Sequence, residues 1–135
     1  MACCDTTILI DAMNRKSKFH RRAMNKLKEV IEQGSSLATT RFNVAELYVG
    51  VARSFDPMAE AVKVSNILEN FSILEFDESS AILFGQIVAH LQKRGKYIGD
   101  MDALIASTTM AAGEILITRN PAHFKDIPNL TVESY

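Results

Sequence analysis

Five apolar runs of four or five residues, at 2–5, 36–39, 72–76, 115–118 and 130–133, constrain this chain more than any other feature. The first ends at Asp5 and the others are rich in Ile, Leu, Val and Thr. Runs this short fit buried strands and fall far below the ~20 residues that span a bilayer. Between them lie segments with helical spacing at 6–13, 19–33, 41–53, 57–70, 79–94 and 101–112. Short strands separated by helices must run parallel, because each crossover returns the chain to the same end of the sheet. The expected fold is therefore α/β: a three-layer α/β/α sandwich around a central, mainly parallel sheet of about five short strands. No repeat or Pro/Gly/Ser-rich linker divides the 135 residues, so 1–135 reads as a single domain. Gly34 and Gly113 are expected just past helix ends, and Asp56 should cap a helix that Pro57 begins.

Charge and motif content remove several function classes. A formal net charge of −1 argues against a generally basic nucleic-acid binder, yet seven of the fifteen Lys and Arg residues fall between Arg15 and Lys28. That stretch, with Arg15, Lys16, Lys18, Arg21 and Arg22 at its head, is either an RNA-backbone track or a solvated helix face. The cysteines, Cys3 and Cys4, are adjacent, unsuited to a loop-closing disulfide, and read as small buried residues of the first strand. His20, His90 and His123 show no zinc-ligand spacing, and there is no phosphate-binding GxxxxGK[ST] loop, GxGxxG fingerprint or GxSxG elbow. With no apolar span and no basic-then-apolar leader, the expectation is a cytoplasmic protein without a membrane partner.

In an open parallel sheet the ligand site lies beyond the carboxyl ends of the strands. Asp5 closes the first run, Asp100 and Asp102 open the helix near 101, and Asn120 and His123 follow the fourth run, which ends at Thr118. Glu46 stands in the apolar helical stretch Val44-Ala45-Glu46-Leu47-Tyr48-Val49. A carboxylate buried there must be hydrogen-bonded, protonated, paired or metal-bound, unless it reaches the helix edge toward Arg53 or solvent. Asp5 and either of Asp100 and Asp102 would also serve as helix caps, although one helix end does not need two aspartates. Together these acids suggest a hard-cation site for Mg²⁺ or Mn²⁺, and hence metal-assisted phosphodiester hydrolysis.

Four segments resemble the PIN-domain ribonucleases, and among them the VapC toxins of toxin–antitoxin modules. They are Asp5-Thr6-Thr7-Ile8-Leu9-Ile10-Asp11, Ala45-Glu46-Leu47-Tyr48-Val49-Gly50, Ile98 to Ala106 through Asp100-Met101-Asp102, and Leu116-Ile117-Thr118-Arg119-Asn120 with His123-Phe124. They occur in the family's order across almost the whole chain. The resemblance implies a homodimeric endoribonuclease, dependent on one or two Mg²⁺ or Mn²⁺ ions and restrained by a cognate antitoxin. It carries the metal-site acids onto Asp5, Glu46 and Asp102, with Asp100 as an additional acid. The chain departs from the pattern at Thr7, where the family has Asn, and at Asn120, where it often has a fourth acid.

Thr6 and Thr118 are expected to hydrogen-bond the acids and fix their rotamers, and Asn120 to accept a hydrogen bond or orient water without adding charge. The competing reading is a noncatalytic PIN-like module that binds RNA or protein. A signalling receiver domain would share the architecture, but it wants a paired acid after the first strand and a Lys after a late one, where this chain has Thr6-Thr7 and Arg119.

Overall fold

The computed structural model describes residues 1–135. The short runs become β1 (Ala2–Cys4), β2 (Leu37–Thr40), β3 (Ser72–Leu74), β4 (Ile115–Ile117) and β5 (Val132–Glu133), joined in one sheet of order β3-β2-β1-β4-β5. Every pairing is parallel. Six helices connect them: α1 (Thr6–Met13), α2 (His20–Glu32), α3 (Arg41–Arg53), α4 (Pro57–Leu68), α5 (Glu78–Lys93) and α6 (Asp100–Ala111). A 3-10 turn at Pro121–His123 follows β4. No helix is long and apolar enough to cross a membrane.

Side-chain alternation along the two central strands divides the core. Cys3 pairs with Leu116 and Cys4 with Ile117, so each pair points to its own face of the pleat. Ala2, Cys4 and Ile117 pack under α1 to α4 with Ile8, Leu9, Leu27, Leu47 and Val64. Cys3 and Leu116 pack on the other face with Ile87 and Leu91 of α5, Ile105 of α6, and Phe124. The adjacent cysteines are thus buried free thiols in separate layers. Burial pushes the Cys3 thiol up to about 12 against the lowering effect of its hydrogen bond from Thr109, and pushes Cys4 higher still. Neither supplies a thiolate nucleophile at neutral pH.

Local chemistry sets the element ends. Gly34 and Gly113 both take positive φ just beyond helices, as C-terminal glycines do. Asp56 accepts the Ala59 N–H at the start of α4, with Pro57 in its first turn. The third strand is shorter than its apolar run because Asp77 turns away to cap α5, accepting from the N–H and hydroxyl of Ser80. The fifth is shortened by the left-handed Asn129, with φ 65°.

One polar residue lies inside the layer formed by α1. Asp11, 3% exposed, accepts two hydrogen bonds from Arg119 Nη1 at 2.9 and 3.1 Å, one from the Tyr135 hydroxyl at 2.6 Å and one from Ser17 at 2.8 Å. The Arg119 guanidinium also lies over the Phe19 ring, with Cζ 4.3 Å from its centroid. The network ties α1 and the segment leading to α2 to the residues following β4 and β5. Removing one partner of a buried pair strands the other charge, at roughly 3–5 kcal/mol. Because 35% of the Arg119 side chain stays in water, Asp11→Ala is expected to cost about 2–4 kcal/mol in urea unfolding, and Tyr135→Phe about 1 kcal/mol. An Asp11→Ala protein as stable as wild type would show that the network does not hold these segments together.

Candidate acidic active site

β1 lies between β2 and β4, so the connections leaving these strands diverge and open a crevice at their carboxyl ends. Asp5 leaves β1 at this point. It occupies the cap position of α1, but its carboxylate makes no capping bond. Instead Oδ1 accepts from Asn43 Nδ2 at 3.0 Å and Oδ2 from the Thr118 hydroxyl at 2.7 Å. The capping reading of Asp5 is therefore replaced by a carboxylate held from both neighbouring connections.

The start of α3 supplies that grip. Thr40 accepts the Asn43 N–H, and Asn43 Oδ1 accepts from both the backbone N–H and the hydroxyl of Thr40, forming a capping box. The fully buried Asn43 then spends its amide donors on Asp5 and on Thr6 Oγ1, the latter at 2.9 Å. Thr6 donates onward to Glu46 Oε1 at 2.6 Å. Glu46, one helical turn after Asn43, is half-buried, so of the two environments open to it in the sequence it takes the hydrogen-bonded interior. On the other side, Thr118 accepts the Asn120 N–H and Thr7 accepts the Arg119 N–H, which fixes the chain beyond β4.

Asp102 enters from the first turn of α6. The cap of that helix is Gly99, with φ 96° and no side-chain bond, so neither aspartate caps it. Asp102 is half-buried, with Oδ2 3.3 Å from His123 Nδ1. Burial raises the Glu46 carboxyl above the usual range against its Thr6 hydrogen bond, and the charges of Asp5 and Asp102 raise it further. Burial raises Asp102 as well, the Asp5 charge adds to it, and His123 opposes it. Three carboxylates thus lie within electrostatic reach of one another, and no Lys or Arg pairs with any of them. No three acidic, His or Cys side chains form a closed metal-binding group. The donor set fits a hard divalent cation nonetheless: oxygen ligands only, with mutually repelling charge facing one crevice.

Other predicted residues lie farther out. Asp100 is exposed and accepts the Tyr97 hydroxyl. Asn120 is exposed, and it is the backbone N–H rather than the side chain that reaches Thr118. Arg15 and Lys16 line a cavity of about 730 Å³ between α1, α3 and α4, with Glu46 in its wall. Lys18 and Arg22 gather on the Phe19 ring, and Arg21 is exposed. Lys26 and Lys28 are engaged by Glu133 and Glu32. The sequence reading did not single out Asn43. Its one available signal was the Thr40-x-x-Asn43 spacing ahead of a helix. His123, which offers no zinc-ligand spacing in the sequence, is the residue that contacts Asp102.

The PIN domain family profile matches residues 2–130. Over 131 residues the chain is 30% identical to Ribonuclease VapC2 of Rickettsia felis, covering 97% of this chain and 95% of the relative. It is 28% identical over 101 residues to the tRNA(fMet)-specific endonuclease VapC of Salmonella typhimurium, covering 75% of this chain and 76% of the relative. Its fold is similar to that in the crystal structure of VapBC2 from Rickettsia felis bound to a promoter DNA fragment, with a TM-score of 0.89, 28% identity and coverage of 99% and 98% of the two chains.

The crowded acids carry a stability signature of their own. A carboxyl raised in the folded state binds more protons there than in the unfolded chain, so stability falls as pH rises from the ordinary carboxylate range through the folded value. The ionised Glu46 and Asp102 therefore destabilise the fold at neutral pH. In a chelator-containing buffer at pH 7, Glu46→Gln is expected to raise Tm by about 1–4 °C and to flatten the decline in stability as pH rises above the ordinary carboxylate range. A lower Tm with an unchanged pH profile would mean that Glu46 is not electrostatically strained.

Proposed function

The chain belongs to the PIN domain family, and we propose that it is the ribonuclease toxin of a toxin–antitoxin pair, cutting RNA phosphodiester bonds with one or two Mg²⁺ or Mn²⁺ ions. The observation that carries this reading is the meeting of Asp5, Glu46 and Asp102 at the carboxyl edge of the sheet, each raising or feeling its neighbours' charge without a Lys or Arg partner. The VapC ribonuclease relatives support it over the noncatalytic module.

Asp5, Glu46 and Asp102 would hold the cation, with Asp100 at the mouth as a further acid. When bound, the ion supplies Lewis acidity and compensates charge on the scissile phosphate and leaving oxygen. The chain's own contribution is orientation. Asn43 and Thr118 fix the two oxygens of Asp5, Thr6 fixes Glu46, and His123 bears on Asp102. Such outer partners set ligand rotamers and typically matter 10–100-fold.

Arg15 and Lys16, in the cavity walled by Glu46, are assigned to RNA phosphates, with Lys18, Arg21 and Arg22 extending the positive surface. The antitoxin is assigned to the adjoining groove of about 1080 Å³, where Met24, Leu27, Ile31, Ile67 and Phe71 lie under a rim that includes Lys28 and Lys63. A homodimer would cover the exposed Tyr48, Val49, Phe55 and Met58. An RNA substrate and two free buried thiols accord with a cytoplasmic place of action.

The test is cleavage of a structured-RNA panel with Mg²⁺, Mn²⁺ or chelator. Asp5→Asn and Asp102→Asn, each shown to be folded, are expected to lose more than about 100-fold in rate, and Asn43→Ala about 10–100-fold. Chelator should abolish cutting by wild type. Full activity in both aspartate variants would overturn the site assignment.

A further inference from the structure

A second concentration of positive charge lies outside both the acidic site and the 15–28 segment. Between the end of α5 and the residues after the 3-10 turn is an open cleft of about 410 Å³, lined by His90, Arg94, Lys96, Lys125 and Asp126. Arg94 Nε donates to His90 Nε2 at 3.0 Å. This braces the guanidinium and leaves its terminal amino groups without protein acceptors. Lys96 Nζ stands 3.7 Å from Asp126, and the exposed Lys125 has no ion-pair partner. Three cations therefore face one carboxylate.

The negative end of the α5 dipole explains a basic residue at Arg94. It does not explain Lys125, which arrives from a different segment. Both segments lead straight into the acidic site: Lys96 stands four residues before Asp100, at the start of α6, and Lys125 two residues after His123, which touches Asp102. The cleft belongs to the α5/α6 layer, whereas Arg15 and Lys16 lie against α1, α3 and α4. Positive charge thus occurs in both helical layers, in segments continuous in sequence with those that carry the acids.

We propose that this cleft binds the phosphodiester backbone of the substrate RNA beside the bond that is cut, an inference that rests on the ribonuclease reading above. Scissile phosphate must approach a cluster of carboxylates, and cations on adjacent phosphates supply the attraction that the acids themselves oppose. The braced Arg94 offers paired donors to phosphate oxygens, and Lys96 and Lys125 act as point charges.

Binding of a fluorescein-labelled single-stranded RNA to the full chain in EDTA, followed by anisotropy between about 50 and 200 mM salt, tests the cleft with the RNA intact. The triple variant Arg94→Ala/Lys96→Ala/Lys125→Ala is expected to raise Kd about tenfold at low salt and to reduce the slope of log affinity against log salt by about 2. Lys125→Ala alone breaks no ion pair and should reduce the slope by about 0.7. On a substrate cut by wild type with metal, the triple variant should raise KM while leaving kcat within about twofold. Unchanged Kd and slope in both variants overturn the proposal, as does equal wild-type affinity for polyglutamate of the same length. If wild type cuts no RNA but the salt slope still drops, the cleft stands as an RNA-binding surface and the ribonuclease reading fails.

Discussion

The site depends on one buried amide. Asn43 is fully enclosed, and its carbonyl and amino groups are all committed: the oxygen to Thr40, the two donors to Asp5 and Thr6. An amide in that position must satisfy every one of these groups or leave a polar atom stranded, at about 1–3 kcal/mol each. The start of α3 and the orientation of Asp5 are therefore one structural unit. A shift of α3 along its axis would break the capping box, release Asp5 and, through Thr6, move Glu46. No buried side-chain nitrogen or oxygen in the chain lacks a partner. The acidic crevice is thus held by fully satisfied hydrogen bonds even though the carboxylates repel one another.

That unit is placed by the sheet. β1 is only three residues long, yet it is paired on both sides and buried on both faces, so its exit point hardly varies. Alternation sends Cys3 to one core and Cys4 to the other, and the next residue, Asp5, emerges at the edge where β2 and β4 also end. Thr40 and Thr118 stand just there: one caps α3 and the other bonds Asp5 directly. The geometry serves this purpose because the ends of β2 and β4 each lie one inter-strand spacing of about 4.8 Å from the end of β1.

This geometry explains which parts were legible in the sequence. Asp5 and Thr118 could be placed together because each closes a short apolar run and parallel strands end on one edge. The helices were legible from spacing and from Gly34, Asp56-Pro57 and Gly113, whose chemistry is local. Asp100 and Asp102 could not be separated by charge alone. On a helix, two residues apart means about 200° of rotation, and only Asp102 turns toward Asp5 and Glu46 while Asp100 meets Tyr97 outside. Asn43 was hidden because nothing in a lone asparagine distinguishes a helix-start residue from one that also reaches across to another strand's exit. The 15–28 stretch looked uniform as sequence, yet tertiary partners divide it: Arg15 and Lys16 turn to the cavity beside Glu46, Lys18 and Arg22 to Phe19, and Lys26 to Glu133.

The same division of charge governs the residues after β4. Thr118 and Arg119 are consecutive, and the extended chain turns them to different sides. Thr118 bonds Asp5, while Arg119 is drawn to Asp11 and stacked on Phe19. Had Arg119 faced the crevice it would have paired with the carboxylates and offset their mutual repulsion. Asp11 prevents this by holding the guanidinium within the α1 layer, and Tyr135 and Ser17 complete the hold. The fold thus spends one buried acid on keeping a cation away from three others. An acidic crevice free of Lys and Arg partners, with His123 as its basic contact, is the charge arrangement that the proposed cation and RNA backbone would both require.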